Sequence, residues 1–249
     1  MKILIINPNT TESMTEADAV VGAKYAREGT IIHAINPSFG PCSIENSMEE
    51  CIVAYATMEL VAKHRDEYDA FIIACSSDPG LSACREVTDK PVIGCGEAAM
   101  HLAALVAYKF SIVTVIPRVI PMLREMVHRS GLEGRCASIR STSLSVLEIE
   151  EQPERALREL IAESWRAIEE DGAEAICLGC AGMGPLDEQI RKAVPVPVLD
   201  GVSCAVKLAE ALFEYGVKTS KVGAYAWPEQ KQIIGCAPEL TTPAKVASV

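Results

Sequence analysis

Lys2-Ile3-Leu4-Ile5-Ile6-Asn7-Pro8 is echoed later in the chain by Lys109-Phe110-Ser111-Ile112-Val113-Thr114-Val115-Ile116-Pro117. Each stretch is a lysine, a short apolar and β-branched run, and a turn closed by proline, which is how a buried parallel strand reads. The surroundings repeat as well. Gly29-Thr30-Ile31 is matched by Gly134-Arg135-Cys136, Ile72-Ile73-Ala74-Cys75 by Leu178-Gly179-Cys180, and Pro91-Val92-Ile93-Gly94 by Pro197-Val198-Leu199-Asp200. Evenly spaced strands occur in any α/β chain, but these landmarks all recur 105 to 107 residues apart, which points to two similar halves.

Outward from these anchors, strands are predicted at Lys2–Asn7, Thr30–Asn36, Ala70–Cys75, Pro91–Gly94, Phe110–Val115, Cys136–Arg140, Ala175–Gly179 and Val196–Leu199, with a last one at Lys221–Ala226. Amphipathic segments such as Met48–His64 and Pro153–Glu170 separate them. Strand–helix alternation predicts an α/β fold of two pseudo-symmetric lobes with parallel sheets. Ligands of open α/β sheets bind beyond the carboxyl ends of the strands. The active site is therefore expected in the interlobe cleft, with Cys75 and Cys180 on opposite walls.

Composition narrows the function classes. The 249 residues are 49% apolar and 23% charged, enough for a core and a solvated surface. A net charge of −11 without a Lys/Arg cluster argues against nucleic acid as a partner, because phosphate binding needs a cationic face. No apolar run approaches the roughly 20 residues that span a bilayer, so no membrane partner is expected. The opening MKILIINPNT reads as a strand rather than a secretion signal, which predicts a cytoplasmic protein whose ten cysteines stay reduced. Of these, Cys42, Cys51, Cys84, Cys95, Cys136, Cys204 and Cys236 are expected to be packing residues.

Two thiols facing one cleft suit a particular chemistry. Inverting a stereocentre through a planar carbanion needs a base on one face, an acid on the other, and an exchange of roles for the reverse direction. An unperturbed thiol pKa near 8.5 allows either form to be held. Both cysteines precede predicted helix starts, whose backbone N–H groups are expected to favour a thiolate. Around Cys75, Ser76 and Ser77 supply hydroxyls; after Cys180, Ala181 and Gly182 leave backbone amides open to a ligand. Asn9, Thr114 and Ser43 follow other strands and are further candidates for substrate binding, while Glu97 is expected to complement a helix N-terminus. Cys177-x-x-Cys180 has the spacing of a redox or zinc pair, but His33, His64, His101 and His128 show no ligand spacing, and no metal is expected. A phosphate-cradling glycine loop is also missing.

Ile6-Asn7-Pro8-Asn9-Thr10, Cys75 with Asp78-Pro79-Gly80-Leu81, Gly96-Glu97-Ala98-Ala99, Phe110-Ser111-Ile112-Val113-Thr114 and Leu178-Gly179-Cys180-Ala181-Gly182-Met183 together resemble the aspartate/glutamate racemase superfamily, most closely its hydantoin and allantoin racemase branch. The resemblance implies two flavodoxin-like lobes, no cofactor, a homo-oligomer, and Cys75 and Cys180 as alternating acid and base. It places the chain's end back on the first lobe, giving residues 1–97 plus 216–249 and residues 98–215 as the two units. The implied substrate is a 5-monosubstituted hydantoin, with allantoin as the alternative. Three departures matter. Ser76 stands where the branch often has a bulky Phe, and Cys95 where many relatives have an apolar residue. Ala181-Gly182-Met183 replaces the Thr-His typical of the amino-acid racemases, which argues against a free amino acid. A one-cysteine decarboxylase, a small-molecule binding protein without turnover, and a dithiol oxidoreductase are the rival readings.

Overall fold

The computed structural model describes residues 1–229, 231 and 233–240. Among the described residues, eight strands run β1 Lys2–Ile6, β2 Ile31–Ile35, β3 Ala70–Ile73, β4 Val92–Gly94, β5 Phe110–Thr114, β6 Cys136–Ser141, β7 Ala175–Leu178 and β8 Val198–Leu199. They form two four-stranded sheets of order β2-β1-β3-β4 and β6-β5-β7-β8, parallel throughout. The helices are α1 Glu12–Tyr25, α2 Ser47–His64, α3 Leu81–Val87, α4 Cys95–Val106, α5 Ile120–Arg129, α6 Val146–Glu151, α7 Pro153–Asp171, α8 Asp187–Ala193 and α9 Gly201–Tyr215. The repeat in the sequence is thus a repeat of sheet order.

A parallel sheet covered on both faces needs strands that are apolar on both sides. In β1, Ile3 and Ile5 pack with Val202, Ala205, Val206 and Ala209 of α9, whereas Leu4 and Ile6 pack with Val61 of α2 and with Cys84 and Val87 of α3. The second sheet has one large core, in which Phe110, Ile112 and Val113 meet Leu160 of α7 and Ala99, Met100 and Ala103 of α4. Helices α4 and α9 therefore each follow one sheet and pack on the other. Their first turns meet: a Cβ added at Gly201 would fall 2.8 Å from the carbonyl oxygen of Cys95, so only a residue without one fits. Cys95 and Gly201 occupy equivalent places in the two halves, so the pseudo-twofold axis passes between them.

Beyond α9 the chain returns to the first lobe. Thr219 N–H donates to the Asp89 carbonyl (2.9 Å), Lys221 Nζ to the Arg85 carbonyl (2.6 Å), and Ala237 N–H to the Tyr55 hydroxyl (3.1 Å). Residues 230, 232 and 241–249 of the expected first unit lie outside the described residues. The strand predicted at Lys221–Ala226 is instead a coil with a 3-10 turn at Gly223–Tyr225. Val222 is exposed and Gly223 has a φ of 75°, so this stretch pairs with no sheet edge. A second correction concerns the cysteines. Cys84, Cys95 and Cys204 are buried and Cys136 and Cys236 half-buried, but Cys42 and Cys51 are exposed. Cys51 lies on the solvent face of α2 and Cys42 in the loop ahead of it, where only its backbone oxygen is used, by the Thr11 hydroxyl.

Candidate active site

β3 ends at Ile73 and β7 at Leu178, so each cysteine is the second residue past its strand. The residues between them continue the ladder: Ala74 N–H donates to the Ile6 carbonyl and Gly179 N–H to the Val113 carbonyl, both at 2.8 Å. This matched exit brings Cys75 and Cys180 to one cleft between the lobes, with about 500 Å3 of space open to solvent at its mouth. Asn9, Ser76, Ser77, Ala181 and Gly182 also line the cleft, and the rest of its wall is largely apolar, with Ile44, Val119, Met122, Leu123 and Val146.

The Cys75 loop is held by a buried carboxylate. Asp78 adopts a left-handed backbone, φ 52°, and its own N–H donates to the Cys75 carbonyl at 2.9 Å. Its side chain accepts from Gly96 N–H (2.9 Å) and Glu97 N–H (2.7 Å), tying the loop to the first turn of α4. Burial pushes the Asp78 carboxyl up to about 8, with Glu97 adding to the rise and the two amides opposing it. Glu97 is in turn paired with Arg85, so it supports the helix start and does not face the cleft. The approach leaves no room for side chains, because a Cβ at Gly96 would fall 2.2 Å from the Ser76 carbonyl oxygen.

Both thiols rest protonated. Burial pushes Cys75 up to about 11, against the Ser77 hydroxyl (Sγ–Oγ 3.5 Å) and amide; Cys180 rises to about 12, opposed only by the Gly182 amide and raised further by Cys75. The expected helix-terminus effect is too small for a physical reason. Cys75 is separated from α3 by a turn, and Cys180 is followed by a six-residue 3-10 segment, Ala181–Leu186, too short to build a macrodipole. Desolvation of the charged form dominates.

Not every predicted residue reaches the cleft. Asn9 does, with its oxygen held by Thr11 N–H (2.8 Å) and its amide nitrogen facing only the weak acceptor Met14 Sδ (3.5 Å), so that group is free for a better acceptor. Ser43 stays outside the lining, and its neighbour Ile44 takes the place. Thr114 is fully buried and donates to the Gly179 carbonyl at 2.8 Å, bracing the Cys180 loop from beneath. Cys177 sits in the core of β7 and Cys180 in the cleft; both are free thiols. Sequence reasoning missed the apolar wall. Val119, in the 3-10 turn just before α5, and Met122 and Leu123 within α5 carry helical spacing and read as core; only the equivalence of the β5 and β1 exits could have pointed them at the site.

Cys75 and Cys180 thus face one cleft from equivalent strand ends of a two-lobed parallel α/β protein. The family model Asp/Glu/Hydantoin racemase matches residues 3–209, and the chain belongs to that family. It is 46% identical to a hydantoin racemase of Pseudomonas sp. (strain NS671), over 94% of this chain and 95% of that one. It is 43% identical to a hydantoin racemase of Paenarthrobacter aurescens, over 94% and 100%. Among solved structures, an allantoin racemase from Klebsiella pneumoniae superposes with a TM-score of 0.92 at 42% identity, over 94% of this chain and 96% of that one. The protein is a racemase, an isomerase acting on a small molecule. No helix among the described residues is long and apolar enough to cross a membrane.

Proposed function

We propose that the protein racemises 5-monosubstituted hydantoins by proton transfer between Cys75, C5 of the ring, and Cys180. The observation that carries this reading is the pair of thiols lining one cleft from equivalent strand ends. The C5 hydrogen lies between a carbonyl and a ring nitrogen, and its removal places charge on the carbonyl oxygen. One sulfur, as thiolate, takes that proton; the other, as thiol, delivers one to the opposite face, and the two leave with protonation reversed. The backbone amide of Ala181 and the hydroxyl of Ser76 are the donors offered to the enolate oxygen, Gly182 and Ser77 facing the two sulfurs, and Asn9 is an amide donor for the ring.

Relatives similar to this chain bear both substrate names, hydantoin and allantoin, at nearly equal identity. The apolar wall favours the first. Allantoin carries a polar ureido group at C5, which gains no hydrogen bond where it lies against Ile44, Val119, Met122, Leu123 and Val146. An unpaired buried polar group costs about 1–3 kcal/mol, roughly a 5- to 150-fold preference for an apolar substituent.

The test follows single-enantiomer 5-benzylhydantoin by polarimetry, with deuterium uptake at C5 read by NMR in D2O and allantoin run alongside. Loss of rotation with C5 exchange, faster for the benzyl compound, is expected. C75S and C180S each abolish racemisation while one-sided exchange survives; full racemisation in both variants would refute the two-thiol mechanism. Faster turnover of allantoin would reverse the substrate assignment.

A further inference from the structure

Cys75 and Cys180 follow strands of different sheets, so the gap between their sulfurs is set wherever the two lobes touch. One such contact lies at the solvent side of the cleft. The Val146 N–H, at the start of α6 in the second lobe, donates to Glu45 Oε1 in the β2–α2 loop of the first at 2.8 Å. Ile44 and Val146, on either side of this bond, both line the cleft, whereas Glu45 is half-buried and outside the lining. Ile44 also packs with Met122 of α5 and against Cys75. A second, exposed tie joins the same helix to α1, where the Ser13 hydroxyl donates to Glu150 Oε2 at 3.0 Å.

Both partners of the Glu45 bond are prepared for it. In α6 the Ser145 and Glu148 side chains satisfy each other's backbone N–H groups, which leaves the Val146 N–H without a partner inside the helix. In the loop, the Glu45 N–H donates to Glu49 Oε2 at 2.7 Å and the Asn46 side chain accepts from Glu49 N–H at 3.1 Å, so Glu45 stands on the first turn of α2. Further back, the Pro41 carbonyl accepts from Thr10 N–H (3.0 Å) and the Cys42 carbonyl from the Thr11 hydroxyl (2.7 Å). The loop is thus pinned to its own lobe at both ends, and the Glu45 side chain reaches across.

We propose that Glu45 is a positioning residue for the proton transfer described above: its bond to Val146 clasps the two walls of the cleft, opens to admit the hydantoin and re-forms over it. The reaction it serves is the one already proposed. Inversion at C5 needs both sulfurs against opposite faces of one ring, and a cleft left ajar brings up only one at a time. The clasp requires an acceptor at that reach and not a charge, so Glu45 acts through the walls rather than on the substrate.

The test measures iodoacetamide alkylation of Cys75 and Cys180 in a C42S/C51S background, alongside kcat for racemisation of 5-benzylhydantoin. E45A removes the acceptor. V146P removes the donor, and proline suits this first position of a helix, after a Ser145 that is already extended, with ψ 169°. Loss of a hydrogen bond to a carboxylate should raise alkylation of the two cleft thiols about ten-fold or more and lower kcat. E45Q, whose amide oxygen can accept the same bond, stays within about three-fold of the parent in both. The double variant E45A/V146P behaves like the worse single one, because the two changes remove one bond. Buried Cys84, Cys95, Cys177 and Cys204 serve as internal controls and keep the parent rate. Cleft-thiol alkylation in E45A within about two-fold of the parent overturns the clasp. So does a rise shared by the four buried thiols, additive effects in the double variant, or an E45Q as impaired as E45A. A parent that racemises neither 5-benzylhydantoin nor allantoin removes the racemase mechanism, whereas alkylation still decides whether the clasp exists.

Discussion

Replacing Gly96 by alanine tests whether the Cys75 loop is held by contact with α4. The added Cβ would lie 2.2 Å from the Ser76 carbonyl oxygen and 3.0 Å from Met126 Cε. The first approach is at least about 1 Å inside van der Waals contact, and its partner is backbone, which cannot rotate away. Either α4 or the Cys75 loop must move by about that distance. The loop cannot move alone, because Asp78 grips Gly96 N–H and Glu97 N–H. Overpacking costs about 1–3 kcal/mol and each lost hydrogen bond to a carboxylate about 1.5–3 kcal/mol. With one of the two bonds lost and alanine returning about 1 kcal/mol through helix propensity, the net loss is about 1.5–5 kcal/mol. Misplacing a reacting group by about 1 Å costs on the order of 100-fold in rate. Urea unfolding and racemisation rates on the same preparation read both. Unchanged midpoint and kcat within three-fold of the parent would mean that the approach of Ser76 to α4 does not position Cys75.

Two further expectations concern ionisation of the thiols. Burial raises both pKa values, so the neutral thiol is the resting form, and the thiolate needed to start the reaction grows as pH rises toward the folded pKa. kcat/KM should therefore climb about ten-fold per unit from about pH 6 to about pH 8; a flat profile there would show that a thiolate is already in place. Cys75, with the Ser77 hydroxyl and amide against its sulfur, ionises before Cys180. Limited iodoacetamide, in a C42S/C51S background that removes the exposed thiols, should label Cys75 first by peptide mass spectrometry, and preferential labelling of Cys180 would contradict that order.

How much of this was readable from the sequence depended on whether a feature was local. The strands and both cysteines were legible because a buried strand is a run of adjacent residues and the second half repeats the first. The strand at Lys221–Ala226 failed because Val222 and Ala224 alternate correctly but have no neighbouring sheet edge, which no local pattern records. Asp78 within Asp78-Pro79-Gly80 reads as a turn; that its carboxylate accepts from Gly96 and Glu97 depends on a helix 18 residues away. The apolar wall was hidden for a different reason. Val119, Met122 and Leu123 satisfy the pattern of a core-facing helix, and a pattern cannot distinguish a core from a cleft. Thiol ionisation was misjudged because helix starts are visible in sequence and desolvation is not.

Burial of the thiols works against the chemistry only if thiolate population is considered alone. A thiolate whose conjugate acid has a raised pKa is a stronger base, and proton abstraction from carbon gains from that strength. In the proposed two-thiol mechanism, burial trades a scarce thiolate for a more reactive one, and the trade requires that its position be fixed before it forms. That fixing comes from the exchange of helices. The Cys75 loop is tied by Asp78 to the first turn of α4, whose body is packed on the second sheet. The Cys180 loop leans on the start of α9, where a Cβ at Gly184 would meet Asp200 Oδ1 at 3.2 Å, and α9 is packed on the first sheet. Each thiol is thus anchored through the opposite lobe, and the first turns of the two helices touch at Cys95 and Gly201. The duplication visible at Lys2 and Lys109 accordingly does more than supply two strand ends. It sets the spacing of two sulfurs across a cleft that neither half could form alone.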